Sequence, residues 1–206
     1  MIGLIAQAGG TERLATPDVP WSYLAPILIL GVGGMLGVGV VAFVRRRLPR
    51  HLASWSTVAV ALAALASTIP LWHRVSDADG GAISAVSGAI GIDRFSLFSI
   101  GVICISVVLV ALLADDYLHR EELDGPELYL LMLMAAAGGS IMVSANDLIV
   151  LFLGIEIISI ASYVMAAMHA RRVSSQEAGI KYFVLGGFAS AILLYGIAFV
   201  YGATGS

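Results

Sequence analysis

The chain has 206 residues, 59% hydrophobic and 12% charged, where soluble domains average roughly 45–50% apolar and about 25% charged; its mean hydropathy is +0.95. That composition excludes an ordinary soluble domain and reads as an integral membrane protein. A net charge of −3 leaves no basic field to attract nucleic acid, and a single cysteine, Cys104, excludes a disulfide or CxxC metal framework.

Crossing a bilayer core of about 30 Å takes roughly 20 apolar residues in a helix, and the chain divides into six runs of that size. Residues Met1 to Pro20 carry Glu12, Arg13 and Asp18 and lack the layout of a cleaved signal peptide, so targeting is expected to come from the spans themselves. The first run is Trp21–Val44, opened by the interfacial rings of Trp21 and Tyr23 and closed by Arg45-Arg46-Arg47. The second, Leu52–Trp72, again ends on an interfacial Trp, and Pro26 and Pro70 are expected near span ends, where they cost little. The third, Arg94–Ala114, has Asp93 as its N-cap; Gly125-Pro126 then breaks the chain before the fourth, Glu127–Ser144. Only Ala145-Asn146-Asp147 separates the fourth from the fifth, Leu148–Met168, which makes the two an antiparallel hairpin with Asn146 or Asp147 as the cap. The sixth opens at Ser174-Ser175-Gln176-Glu177, where Ser174 and Glu177 have capping-box spacing, and continues to Tyr201. The expected fold is all-α: a bundle of six transmembrane helices.

Orientation follows from Lys and Arg. With both termini outside, the inner segments hold Arg45, Arg46, Arg47, Arg50, Arg120, Arg171, Arg172 and Lys181, while the outer ones hold Arg13, Arg74 and Arg94. The acidic inner loop Asp115–Glu127 weighs little in that rule and reads as solvated.

Within the spans one residue stands out. Glu156 lies eight residues into the fifth run, roughly 12 Å from one boundary and 18 Å from the other. An acid near the midplane costs about 2.5–3.5 kcal/mol on insertion scales, so it should face the bundle or water and serve a function. Ser159 at i+3 and Tyr163 at i+7 extend a polar stripe along the same face. Burial favours the neutral acid and a nearby cation favours the charged one; a group balanced between them can load and release a proton. Lys181, four residues after Glu177, is a second candidate: it can pair with Glu177 and snorkel, or join a relay to Glu156 through water or Tyr163. His169, beside Arg171 and Arg172, can titrate near neutral pH and feed protons inward, or simply be solvated. The glycines of the first, fourth and sixth runs read as close helix contacts. No HExxH, GxGxxG or P-loop is present, and the chain offers no site for a redox cofactor, metal or nucleotide.

Ser144-Ala-Asn-Asp-Leu, Leu151-Phe-Leu-Gly-Ile-Glu156-Ile-Ile-Ser, Ser175-Gln-Glu-Ala-Gly-Ile-Lys181-Tyr-Phe-Val-Leu-Gly, Tyr195-Gly and Tyr201-Gly-Ala-Thr-Gly-Ser occur in that order. Together they resemble the antiporter-like membrane subunits of proton-pumping NADH-quinone oxidoreductase, respiratory complex I, and among these subunit N. The resemblance covers Glu127–Ser206; residues 1–126 match in hydropathy and placement, as a three-helix segment ahead of the motif module, similar to the bacterial and plant forms. It implies a multi-pass proton-translocating subunit in the bacterial plasma membrane, coupled to quinone reduction elsewhere in the complex. Its partners would be the lipid bilayer and other membrane subunits of complex I, with NADH and quinone handled by other subunits and no cofactor in this chain. Glu156 matches the family's glutamate on the fifth helix and Lys181 its lysine at the start of the sixth. The family's further lysines fall beyond Ser206, so the expectation is an N-terminal portion of a longer subunit. A subunit of a related cation/proton antiporter and a non-transporting structural fragment are the alternatives.

Overall fold

A computed structural model describes residues 19–44, 50–78, 81–120, 126–169 and 171–205. The segment ahead of Pro20 through residue 18, the Arg45-Arg46-Arg47 stop and residues 121–125 of the acidic loop lie outside the described residues.

Among the described residues six helices form where the apolar runs predict them: α1 (Ala25–Val44), α2 (Arg50–Asp77), α3 (Arg94–Arg120), α4 (Glu127–Val143), α5 (Leu148–Ala167) and α6 (Val173–Thr204). Four of them, α2, α3, α5 and α6, are long and apolar enough to cross a membrane, while α1 and α4 contribute the shorter apolar stretches Ala25–Gly37 and Glu127–Val143. Pro26 falls in the first turn of α1, as expected. Pro70 does not end α2, which runs on to Asp77; the proline leaves one carbonyl of the preceding turn without its amide, a loss helices tolerate in a membrane bundle.

The expectation of an all-α fold needs one correction. The α2–α3 connection contains an antiparallel hairpin, β1 (Ala82–Ala85) and β2 (Ile90–Asp93), with Ala82 opposite Asp93 and Ala85 opposite Ile90. Its turn places Val86 and Ser87 in the left-handed region at φ 53° and 55°, a conformation normally left to Gly, Asn or Asp. Leu71, Val75 and Leu97 pack with Ile92 of β2, and Leu24 and Ile27 with Ala85 of β1. The α4–α5 turn then joins the hairpin edge. Gly91 N donates to Ser144 O at 2.8 Å, Asn146 N to Ala89 O at 3.0 Å and Asn146 Nδ2 to Gly88 O at 2.9 Å.

Capping follows the sequence in two places out of three. Asp93 Oδ1 accepts from Ser96 N at 2.7 Å while Ser96 Oγ accepts from Asp93 N at 2.9 Å, a reciprocal box at the head of α3. Asp147 caps α5 by accepting from Ile149 N at 2.6 Å. The Ser174–Glu177 box does not form: α6 begins at Val173 with Arg172 at the cap position and no side-chain cap, so Ser174 already lies inside the helix, and Glu177 pairs with Lys181.

α4 is the hub and packs on α5, α1, α3 and α2. Its core is built from small side chains, Ala61, Ala64, Cys104, Ala136 and Ala137, with Leu30, Ile100 and Leu133 filling between them. Lipid is as apolar as Leu, so close packing at small residues, rather than escape from water, holds such helices together. The α4–α5 contact shows how close that is. A Cβ added to Gly154 would lie 2.8 Å from Met142 N and 2.9 Å from Met142 Cα, and one on Gly138 would lie 3.0 Å from Gly154 O. α6 sits at the margin: it packs chiefly on α5, and Ile180, Phe183, Leu185, Phe188 and Phe199 along it are exposed.

Backbone at Gly154 cannot yield as a side chain could, so Gly154→Ala should cost about 1–3 kcal/mol through overpacking. Gly187→Ala, where an added Cβ meets nothing within 4 Å, should leave stability unchanged or slightly raised. Thermal melts of the two variants check the contrast, and equal melting temperatures would contradict the close approach.

Candidate functional site

The site is built on the seam between α5 and α6. At the α5 C-terminal end Ser175 Oγ donates to Ala166 O at 2.6 Å and Gln176 Nε2 donates to Ala167 O at 2.7 Å. Two residues of the first turn of α6, lying between the expected box partners Ser174 and Glu177, thus satisfy the last carbonyls of α5, which a helix C-terminus otherwise leaves bare. At the α5 N-terminal end the Tyr201 hydroxyl donates to Asp147 Oδ2 at 2.9 Å, while Oδ1 of the same carboxylate caps α5. Between these ties the helices touch at small residues. Gly179 faces Ala167, and Gly186 leaves room for the Tyr163 phenol, which any Cβ there would overlap. The Tyr163 ring meets Tyr182 and Phe183 edge-on, with centroids 4.8 and 5.8 Å apart.

These contacts fix where Glu156 points. Tyr163 and Ala167 both face α6, and at about 100° per residue both lie within about 20° of Glu156 around the helix. Gly154 and Ile157, which face α4, lie on the other side. Glu156 therefore stands on the α6-facing line, with Ser159, half-buried, toward the α5 C-terminal end on the same stripe. Its Oε1 has no exposed surface and, among the described residues, no hydrogen-bond partner.

Lys181 is placed elsewhere. The pairs Ala167–Gly179, Tyr163–Gly186 and Asp147–Tyr201 set an antiparallel register that brings Glu156 level with Ser190 to Leu193 on α6 and Lys181 level with Ala167. Lys181 is thus roughly 16 Å along the helix axis from Glu156, and two residues past Gly179 turn it about 200° away from the seam. Its ammonium pairs with Glu177 at 2.5 Å, both side chains being exposed. His169 is half-buried and lines a cavity of about 340 Å³ between the ends of α3, α4, α5 and α6, together with Tyr117, Leu128, Met165, Arg172 and Ser175. The structure brings Glu156, Ser159 and Tyr163 onto one seam and leaves Lys181 and His169 at the end where α5 finishes and α6 begins. Among the described residues no cluster of three His, Cys, Asp or Glu side chains is arranged to hold a metal ion.

The Asp147–Tyr201 tie is not among the expectations from sequence, although Asn146, Asp147 and Tyr201 all fall in the motifs. A polar residue just before one helix and a tyrosine near the end of the next were the available signal. The Ile149 amide, and after it the Tyr201 hydroxyl, hold the Asp147 carboxyl below the usual carboxylate range. A depressed folded-state value means the stabilisation is present above the ordinary Asp range, near 3.9, and is lost as pH falls through the lower folded value. Melting temperature should accordingly drop more steeply between neutral pH and acid in the wild type than in Asp147→Asn, which cannot titrate. Parallel pH profiles would contradict this assignment.

The family model described as NADH:quinone oxidoreductase/Mrp antiporter, TM, matches residues 145–206. NADH-quinone oxidoreductase subunit N of Trichlorobacter lovleyi is 36% identical over 183 residues, 89% of this chain and 36% of the relative. Its counterpart in Deinococcus radiodurans is 37% identical over 196 residues, 94% of this chain and 39% of the relative. A chain in the structure of respiratory complex I from Thermus thermophilus superposes with a TM-score of 0.70 at 29% identity, covering 88% of this chain and 37% of that one. A chain of the membrane-bound sulfane sulfur reductase, an archaeal respiratory membrane complex, gives 0.68 at 26%, covering 87% and 37%.

The apolar helices and these matches indicate a multi-pass membrane protein, similar to antiporter-like chains found in respiratory membrane complexes. Within that class these matches show the resemblance to subunit N of NADH-quinone oxidoreductase that the motifs carry. The chain spans a little over a third of the length of those relatives and covers part of that subunit.

Proposed function

We propose that the chain is part of a complex I membrane subunit that translocates protons, with Glu156 as the group that takes up and releases the proton. One observation carries the reading: a midplane carboxylate on the α5–α6 seam with an oxygen that is buried and unpartnered among the described residues. Leaving such an oxygen without a bond costs about 1–3 kcal/mol or more when charged, and a proton delivered to it offsets part of that cost. Ser159 and Tyr163 extend the stripe toward the inner end. Lys181 and His169 stand there as water-linked entry groups, with Lys181 too far along the axis to pair with Glu156 directly. All six helices cross the bacterial plasma membrane in this reading, both termini lie outside, and the translocating module begins at α4. Quinone reduction and NADH oxidation take place in other subunits, and the coupling reaches this chain through its neighbours in the membrane.

A related cation/proton antiporter remains the second reading, because the matching family model covers both kinds of protein. Co-purification with iron–sulfur subunits supports the first; Na⁺/H⁺ exchange without NADH dependence supports the second.

In the assembled complex Glu156→Gln should lower protons moved per NADH oxidised by about two-fold or more, a loss well within what removing one charge-carrying group can cause. NADH oxidation by artificial acceptors should stay at its wild-type rate. Wild-type proton stoichiometry in this variant would overturn the assignment.

A further inference from the structure

We propose that Asp147 and Tyr201 are positioning residues: their bond fixes the outer end of α6 against α5 and so holds Glu156 on the closed seam. The inference rests on the reading of Glu156 as the proton-loading group. Asp147 uses both carboxylate oxygens, one on its own helix at 2.6 Å and one on α6 at 2.9 Å. It therefore couples the first turn of α5 directly to the last turn of α6. The same turn is anchored on its other side, where Asn146 bonds to Ala89 O and Gly88 O of the hairpin. The outer end of α5 is thereby tied to the bundle and to α6 within two consecutive residues.

The tie matters because little else holds α6. Its contacts are chiefly with α5; side chains interlock only where Tyr163 meets Tyr182, Phe183 and Gly186, and elsewhere Gly179 and the half-buried Ser190 offer small surfaces. Ser175 and Gln176 pin the inner end, and Glu156 lies between the two pinned ends, about 13 Å from Asp147 along the axis. Releasing the outer tie frees α6 to swing about the inner one and opens the seam at the level of Glu156. A catalytic geometry loosened by around 1 Å can lose activity severely, and here the loss would appear as poorer coupling rather than slower electron transfer.

The test uses the complete subunit in the assembled complex, with Tyr201→Phe, Asp147→Ala, Asp147→Asn and Glu156→Gln. Proton stoichiometry per NADH is measured alongside the distance between spin labels at Ile149 and Val200, both exposed. Tyr201→Phe, which removes only the hydroxyl, and Asp147→Ala should widen the distance distribution and lower the stoichiometry by about two-fold or more, while NADH oxidation by artificial acceptors is unchanged. Asp147→Asn, which still offers an acceptor to Ile149 N and a donor to the Tyr201 oxygen, should restore both. A wild-type distance and a wild-type stoichiometry in Tyr201→Phe, with Glu156→Gln impaired, would overturn the positioning role alone. Wild-type stoichiometry in Glu156→Gln would instead overturn the proton-loading reading beneath it.

Discussion

The short turn between α4 and α5 is the constraint on which the rest depends. Ser144 accepts from the hairpin, Asn146 donates to it twice, and Asp147 caps α5 while holding Tyr201 of α6. Backbone groups that must leave a helix at the membrane surface need partners, since each unmet one costs free energy comparable to a lost hydrogen bond. Here three such groups, Ser144 O, Asn146 N and Ile149 N, are met within or beside one four-residue turn, and the same turn joins the hairpin, α5 and α6. The register of α5 follows from that junction, and the position of Glu156 follows from the register.

Two physical regimes then meet along α5. Its α4 side is a backbone contact at Gly138 and Gly154, too tight for any added atom, and it makes the two helices one rigid unit. The α6 side is held by polar bonds at its ends and by Tyr163 near one of them. A carboxylate on the first side would be overpacked, and one facing lipid would carry the full insertion penalty. On the second side it is sheltered from lipid yet not locked by neighbours. That suits a group whose charge must change during function.

Much of this was legible in the sequence because hydrophobic run length and helical spacing are local properties. Helix positions, the Asp93 and Asp147 caps and the Glu156–Ser159–Tyr163 stripe all follow from residues within a few positions of one another. The β-hairpin was not legible: its strands are four residues each, and its left-handed turn sits on Val86 and Ser87, residues that do not announce such a conformation. Ser174 and Glu177 had capping spacing, but the adjacent Ser175 and Gln176 serve the carbonyls of α5, a tertiary demand that no window on α6 reveals. For Lys181 the sequence offered a pair with Glu177 or a water-linked relay to Glu156; the Glu177 pair forms, and the register of one helix against the other adds that Lys181 points away from Glu156 and lies roughly three turns distant.

The central claim is that the Glu156 carboxyl changes protonation as the complex works. Difference infrared spectroscopy of the complex during NADH turnover, in the carbonyl-stretch region of protonated carboxylic acids, tests it most directly. The account predicts a carboxyl signal that appears or shifts on turnover and is absent from Glu156→Gln. Identical turnover spectra in the wild type and Glu156→Gln would contradict it.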